Sequence, residues 1–345
     1  MATIHYMTAG ESHGPALTAI LEGLPAGIAI DEALIRTDLA RRQIALGAGG
    51  RMAIETDYAE IVAGVMAGRT TGAPIALRIL NKNHEAWKGR EVTALTTPRP
   101  GHADFAAVVK YGYDDIRPAL ERASARETAA RVAVGACCRA FLAEFGISVS
   151  CRVLEIGGET EQAKIEAAIA AARAEGETLG GILEVTAKGL PVGLGSHVSP
   201  ERRLDACLAA ALLALPAMKG IAFGDGFALA RMKGSETRGR MGGITGGISD
   251  GEELVFRVAM KPIPTTKKSQ PTVDLATGKP AQTVYERSDV CPVPRAAVIL
   301  EAATCIVLAD ALSVKLGGDS ISEMKPRFAA LPRTQTLSAD KKVFW

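Results

Sequence analysis

Charged and hydroxyl side chains crowd into one short run, Glu121-Arg122-Ala123-Ser124-Ala125-Arg126-Glu127, whose chemistry suits an anion. Ser124 and Glu127 stand three apart, the spacing of a capping box, and the Ala-rich stretch beyond them favours helix. The first turn of a helix leaves backbone N–H groups unpaired, with the positive end of the dipole behind them. Arg122 and Arg126 flank that end. Two charge-assisted hydrogen bonds at about 1.5–3 kcal/mol each outweigh the roughly 0.3–1 kcal/mol of the dipole. An ordinary capped helix with solvated arginines is the plain alternative.

Other groups add to this. Gly10-Glu11-Ser12-His13-Gly14 sets a carboxylate, a hydroxyl and an imidazole between two glycines, which let the backbone bend and expose them; a lone loop histidine can equally be a surface residue. From Thr97 to Asp104 the chain is stiffer, because Pro98, Pro100 and Gly101 fix the path around His102 with Arg99 within reach. Arg41, Arg42 and Arg51 bracket Gly47-Ala48-Gly49-Gly50, a loop suited to wrapping a ligand or to serving as a solvated linker. Gly239 to Gly251 carries six glycines, a density that suits backbone approach to a phosphate or a flat ring. Lys261 to Thr266 is a proline-stiffened segment with a cation and hydroxyls. Arg287 and Asp289 alternate onto one side of an extended run, where they can pair with each other.

The elements that must position these groups follow from periodicity. Ala16–Leu21 reads as a buried strand, and Asp31 then caps a helix through Ile35, Leu39 and Arg42. Residues 54–68 and 73–80 read as an antiparallel pair turning at 68–72, followed by an irregular polar stretch over 81–98. A central helix runs over about 125–145 and stops at Gly146, its Ala129, Ala130, Ala133, Gly135 and Ala136 permitting close approach by neighbours. Strands over 147–156 and 181–188 enclose a helix over 161–173. Then come a helix over 204–215, strand-like residues 220–232 and 253–260, and an apolar helix over 295–316 closed by Gly317. Ile182 onward (ILEVTAKGLPVGLG) echoes Leu17 onward (LTAILEGLPAGIA), which suggests two similar halves sharing a core with a site between them.

Composition narrows the function. The 345 residues suffice for one large domain or two, and 40 basic against 38 acidic side chains, interspersed, leave a net charge of +2. That balance, with 4% aromatics, argues against a nucleic-acid surface. The six cysteines form no CxxC pair and read as buried thiols of a reducing cytoplasm. No signal peptide and no 18-residue apolar run are visible, so no membrane role is expected. A GxxxxGK loop is missing and no GxGxxG follows a strand, which disfavours ATP and Rossmann-type NAD sites.

Taken together, GESHG, RPGHAD at 99–104, ERASARETAARVAVGA at 121–136, KPIPT at 261–265 and ERSDVC at 286–291 closely resemble the chorismate synthase family, in its order and over nearly the whole chain. The resemblance implies an α+β sandwich of antiparallel sheets around central helices, one catalytic domain over residues 1–345, and a cytoplasmic homotetramer. It implies 1,4-anti elimination of phosphate from 5-enolpyruvylshikimate 3-phosphate to chorismate, in the shikimate pathway of aromatic amino acid biosynthesis. Reduced FMN is required with no net redox change, an external flavin reductant is the expected partner, and NADP is associated with the family, self-reduction of the flavin with NADPH being left open.

Position by position, the resemblance implies that Ser12, Arg42, Arg51, Arg99 and Arg126 bind substrate. Flavin contacts would be Arg122, Ala123, Ser124, Gly246, Lys261, Pro262, Ile263, Pro264, Thr265 and Arg287. His13 matches the acid serving the departing phosphate, His102 the residue protonating flavin N1, and Asp289 the base acting through flavin N5. Histidine suits both of its roles because its ordinary pKa lies near working pH. A non-catalytic FMN- or phosphate-binding protein on the same scaffold is the rival reading.

Two departures mark this chain: the family's glycine loop usually reads GRGGR where Ala48 stands here, and the segment from Ser235 to Gly242 is shorter. One charge-assisted contact of about 2 kcal/mol corresponds to roughly 30-fold in affinity. Ala48→Arg is therefore expected to raise kcat/KM for the phosphorylated substrate, and an unchanged value refutes this.

Overall fold

In the computed structural model, residues 4–43, 57–284, 288–332 and 334–335 are described. In chain order the main elements are β1 (His5–Ala9), β2 (Ala16–Glu22), α1 (Glu32–Gln43), β3 (Ala59–Ala63), β4 (Ile75–Leu80), α2 (Asp104–Tyr111), α3 (Arg117–Arg122) and α4 (Thr128–Ala143). The second half continues with β5 (Ser148–Ile156), α5 (Gln162–Glu175), β6 (Gly181–Lys188), α6 (Leu204–Leu213), β7 (Met218–Phe223), β8 (Leu254–Met260), α7 (Val293–Leu316) and α8 (Ile321–Ala329).

Two four-stranded antiparallel sheets result, ordered β1-β2-β4-β3 and β5-β6-β8-β7. The order is the same in both halves, with the echoed GLPxG turns following β2 and β6. Apolar residues alternate along β2 and β8, so each sheet buries one face. Those faces close on α1, α4, α6 and α7 to form one hydrophobic cluster spanning both halves. The α+β sandwich around central helices that the family resemblance implies is the fold observed.

The two longest core helices, α4 and α7, meet at Gly135, where a Cβ would sit 2.4 Å from Ala302 Cβ and 2.5 Å from Ala302 Cα. Only a residue without a Cβ lets them approach so closely. α7 is apolar enough to cross a membrane by composition, yet most of it is buried in this core. Its Glu301, 2% exposed, accepts from Arg41 (2.8 and 2.9 Å), Arg139 (2.8 Å) and the Cys151 backbone N–H (2.9 Å), tying α1, α4 and β5 to α7.

Several expectations are corrected. The central helix begins with a 3₁₀ turn, Ala125–Glu127, and Ser124 Oγ accepts from the Arg126 N–H at 3.3 Å. The capping box is not completed, because Glu127 is taken by Thr8 Oγ1 (2.6 Å) and Arg131 Nε (3.0 Å). The strand read over 54–68 is confined to Ala59–Ala63 among the described residues, with a small ribbon (Val65–Met66, Arg69–Thr70) beyond it. Strand-like 220–232 ends at Phe223, since Gly224 and Gly226 adopt positive φ and a 3₁₀ turn follows. α2 and α3 lie where sequence periodicity is too short to show a helix.

Gly135→Val should cost about 1–3 kcal/mol through overpacking against Ala302. Urea denaturation checks this, and an unchanged midpoint overturns the close-contact reading.

Candidate functional site

Where the N-terminal ends of α4 and α7 open between the two halves lies a cavity of about 1020 Å³. Its walls come from the β1–β2 loop, the end of α1, the segment before α2, the α3–α4 turn, the chain after β8 and the first turn of α7.

The β1–β2 loop presents Ser12 and His13. Gly10 makes its bend possible, with φ +114° and room for no Cβ: Ala16 O would lie 2.4 Å from it. Ser12 is 2% exposed and accepts from Ser124 Oγ at 3.1 Å. Glu121 clamps His13 twice, accepting from its backbone N–H at 2.7 Å and lying 2.6 Å from its Nδ1. The imidazole also rests against Trp87, centroid to centroid 4.5 Å. One carboxylate thereby fixes both the ring and the loop that carries it.

The RPGHAD segment folds on Asp104, which is fully buried at the start of α2. Asp104 accepts from Arg99 through its backbone N–H (3.0 Å), Nε (2.8 Å) and Nη2 (3.0 Å), and pairs with His102 Nδ1. Arg99 Nη1 then donates to Thr265 Oγ1 at 2.9 Å, joining this segment to the chain after β8. Burial alone would raise the Asp104 carboxyl, but the bonds from His102 and Arg99 hold it well below the usual carboxylate range.

Two further arginines are buried in the cavity floor. Arg42 donates to Thr128 Oγ1 (3.1 Å) and the Ala125 carbonyl (2.8 Å), and Arg126 to Asn81 Oδ1 (2.8 Å). Asp57, itself 2% exposed, bridges the pair, 3.4 Å from Arg42 Nη1 and 2.5 Å from Arg126 Nη1. Desolvation pulls the Arg42 guanidinium down to about 10; Asp57 counters this, while Arg295 and Arg126 add to it. Arg126 Nη2 has no hydrogen-bond partner among the described residues although it is buried, and nor do Arg295 Nε and Nη2. Such N–H groups, on cations that keep their charge, are what an incoming oxyanion satisfies.

The cavity thus brings together Ser12, His13, Arg42, Arg99, His102, Arg122, Ala123, Ser124, Arg126, Lys261, Ile263, Pro264, Thr265 and Asp289. Pro262 is next to its lining but not in it, and Gly246 is not part of the lining; it sits at an exposed turn between Ile244–Thr245 and Ile248–Ser249. Arg51, Arg287 and the Ala48 loop lie outside the described residues. Asp289 pairs with Arg295 Nη1 at 2.6 Å; the expected pairing with Arg287 falls outside the described residues. Arg122 is half-exposed at the mouth and donates to the Thr8 carbonyl and hydroxyl, both at 3.0 Å. Desolvation, then the nearby Lys219 charge, lowers Lys261.

Asp57, Trp87 and Arg295 carry no signal in the sequence, and Glu121 and Asp104 stand in the quoted motifs with no role that spacing reveals. For Asp57 no spacing signal exists, since its two partners are 15 and 69 residues away.

A family model described as chorismate synthase matches residues 4–313. The chorismate synthase of Caldanaerobacter subterraneus subsp. tengcongensis is 49% identical, covering 94% of this chain and 97% of its own length. That of Geobacter sulfurreducens is 44% identical over 94% and 97%. A crystal structure of chorismate synthase, 37% identical, superposes with a TM-score of 0.76 over 94% of this chain and 96% of the other.

The depressed Asp104 carboxyl yields a pH prediction. Its stabilising contribution is complete above the unfolded-state value of about 3.9 and is lost as pH falls below that toward the folded value. Asp104→Asn should therefore be less stable than wild type by a constant margin between pH 7 and 5, narrowing below pH 4. Urea titrations at each pH decide; a margin that widens on acidification refutes it.

Proposed function

The chain belongs to the chorismate synthase family, and from that premise we propose that it converts 5-enolpyruvylshikimate 3-phosphate to chorismate by 1,4-anti elimination of phosphate. The observation that carries this reading is a single cavity holding buried arginines with unsatisfied N–H groups beside two carboxylate-held histidines. A substrate bearing a phosphate and two carboxylates is complementary to it.

Reduced FMN suits the same cavity. Its volume, about 1020 Å³, stands at the upper end of ligand pockets, about 300–1,000 Å³, and leaves room for a flavin beside the substrate. Arg122, the Ala123-Ser124 turn, Lys261 and Ile263 to Thr265 would hold the flavin, with Arg287 added from outside the described residues. When bound, reduced FMN supplies transient electron density to the breaking C–O bond and recovers it, so there is no net oxidation. The chain's own groups do the remainder. Arg42, Arg99 and Arg126, with Arg51, neutralise the substrate's anions and set its orientation. His13, its Nδ1 held by Glu121, is placed to hand a proton to the phosphate as it departs. His102 is held in one orientation by Asp104, and Asp289 is the carboxylate that finally accepts the proton leaving the ring.

We read residues 1–345 as one catalytic domain, because the core is continuous across the two halves. A cytoplasmic homotetramer supplied with reduced flavin by an external reductant completes the proposal.

Anaerobic assay of phosphate release with reduced FMN tests the activity; substrate and FMN binding without turnover would instead establish the non-catalytic alternative. Asp289→Asn and His102→Ala should each lower kcat by about 10²–10⁴ with a much smaller effect on substrate affinity. Near-wild-type turnover in both removes their assigned roles.

A further inference from the structure

We propose that Arg295 is a further anion-binding residue of this cavity, gripping an oxyanion of the substrate with two N–H groups while a third holds Asp289. This rests on the reaction read above, but its binding half stands apart from turnover.

Arg295 lies in the first turn of α7, only 6% exposed, and lines the cavity. Nη1 is 2.6 Å from Asp289 Oδ2, which uses one edge of the planar fork. Nε and Nη2, buried, have no partner among the described residues. A guanidinium cannot relieve that cost by losing its proton at working pH. Arg126 Nη2 is in the same condition on the same cavity. Charge decides what kind of ligand answers them: among the described residues, Arg42, Arg126 and Arg295 are met by Asp57 and Asp289, which leaves one positive charge of this group in excess. A neutral ligand would satisfy the N–H groups and leave that charge buried; an oxyanion satisfies both.

The rigid fork also couples two events. An anion seated on Nε and Nη2 fixes the plane of the guanidinium, and Asp289 is attached to that plane. Arg295 is then a binding residue for the anion and a positioning residue for Asp289. A lysine would supply the charge but could not hold both partners in one plane. Loss of the fork should accordingly raise KM and lower kcat together, whereas Asp289→Asn acts mainly on kcat.

Isothermal titration of the full chain with inorganic phosphate and, separately, with shikimate (a carboxylate without phosphate) tests the binding half where nothing can turn over. Arg295→Lys should weaken at least one of them roughly tenfold or more. Loss confined to phosphate assigns Arg295 to the phosphate, and loss confined to shikimate assigns it to a carboxylate. Unchanged affinity for both, or binding of neither by wild type, overturns the proposal. If Arg295→Lys does not fold, wild-type crystals soaked in selenate give the answer: an anomalous peak within hydrogen-bond distance of Nε or Nη2 supports it, and selenate elsewhere in the cavity alone overturns it. A wild type that binds phosphate but releases none from substrate would sink the reaction and leave this site standing.

Discussion

A guanidinium taken out of water must be met by carboxylates, carbonyls or a ligand, and the described residues of this cavity supply slightly too few of the first two. Asp57 serves Arg42 and Arg126 at once, and Asp289 serves Arg295 with a single oxygen contact. Desolvation is strong enough to draw Arg42 down to about 10. Full internal pairing would make the floor more stable by itself and useless for binding. Among the described residues Arg126 Nη2 and the Nε and Nη2 of Arg295 have no partner, and this stores a preference for an anion in the folded protein.

Carboxylates elsewhere in the cavity do a different task. Glu121 and Asp104 each take hold of a histidine and of backbone in the same segment, so the ring cannot turn without moving the loop. Arg99 extends this into the second half through Thr265, which makes the wall contributed by β8's trailing segment continuous with the one before α2. Lasting orientation of side chains on loops comes from such bonds, since the loops lack the ladder of a sheet or a helix to define them.

Much of this was legible from residue order. The strand at Ala16, the capped helix after Asp31, the alternating strands of the second half and the echoed turns all reflect local periodicity, which local physics enforces. The repeat proved deeper than its sequence trace, because identical strand order depends on which faces are apolar and not on which residues make them so. The capping box failed for the opposite reason: Ser124 and Glu127 have the right spacing, but Arg131 and Thr8 offer Glu127 stronger partners, one of them from another element. Asp57, Trp87 and Arg295 were silent because their significance lies in partners distant along the chain. Charged motifs could be read as anion-seeking, yet which arginine would end with spare donors depends on three-dimensional bookkeeping that no spacing records.

The contact of Gly135 with Ala302 reaches further than core packing. Nine residues before Gly135 comes Arg126, and seven before Ala302 comes Arg295, each roughly 10–14 Å away at helical rise. Two stiff rods touching at that point, with no slack for a methyl group, act as the jaws of a caliper whose opening is the distance between their cationic tips. Selection on the span of the ligand therefore falls on a glycine and an alanine that never meet it. Drift at these two silent positions would retune the cavity while every residue facing it stayed the same.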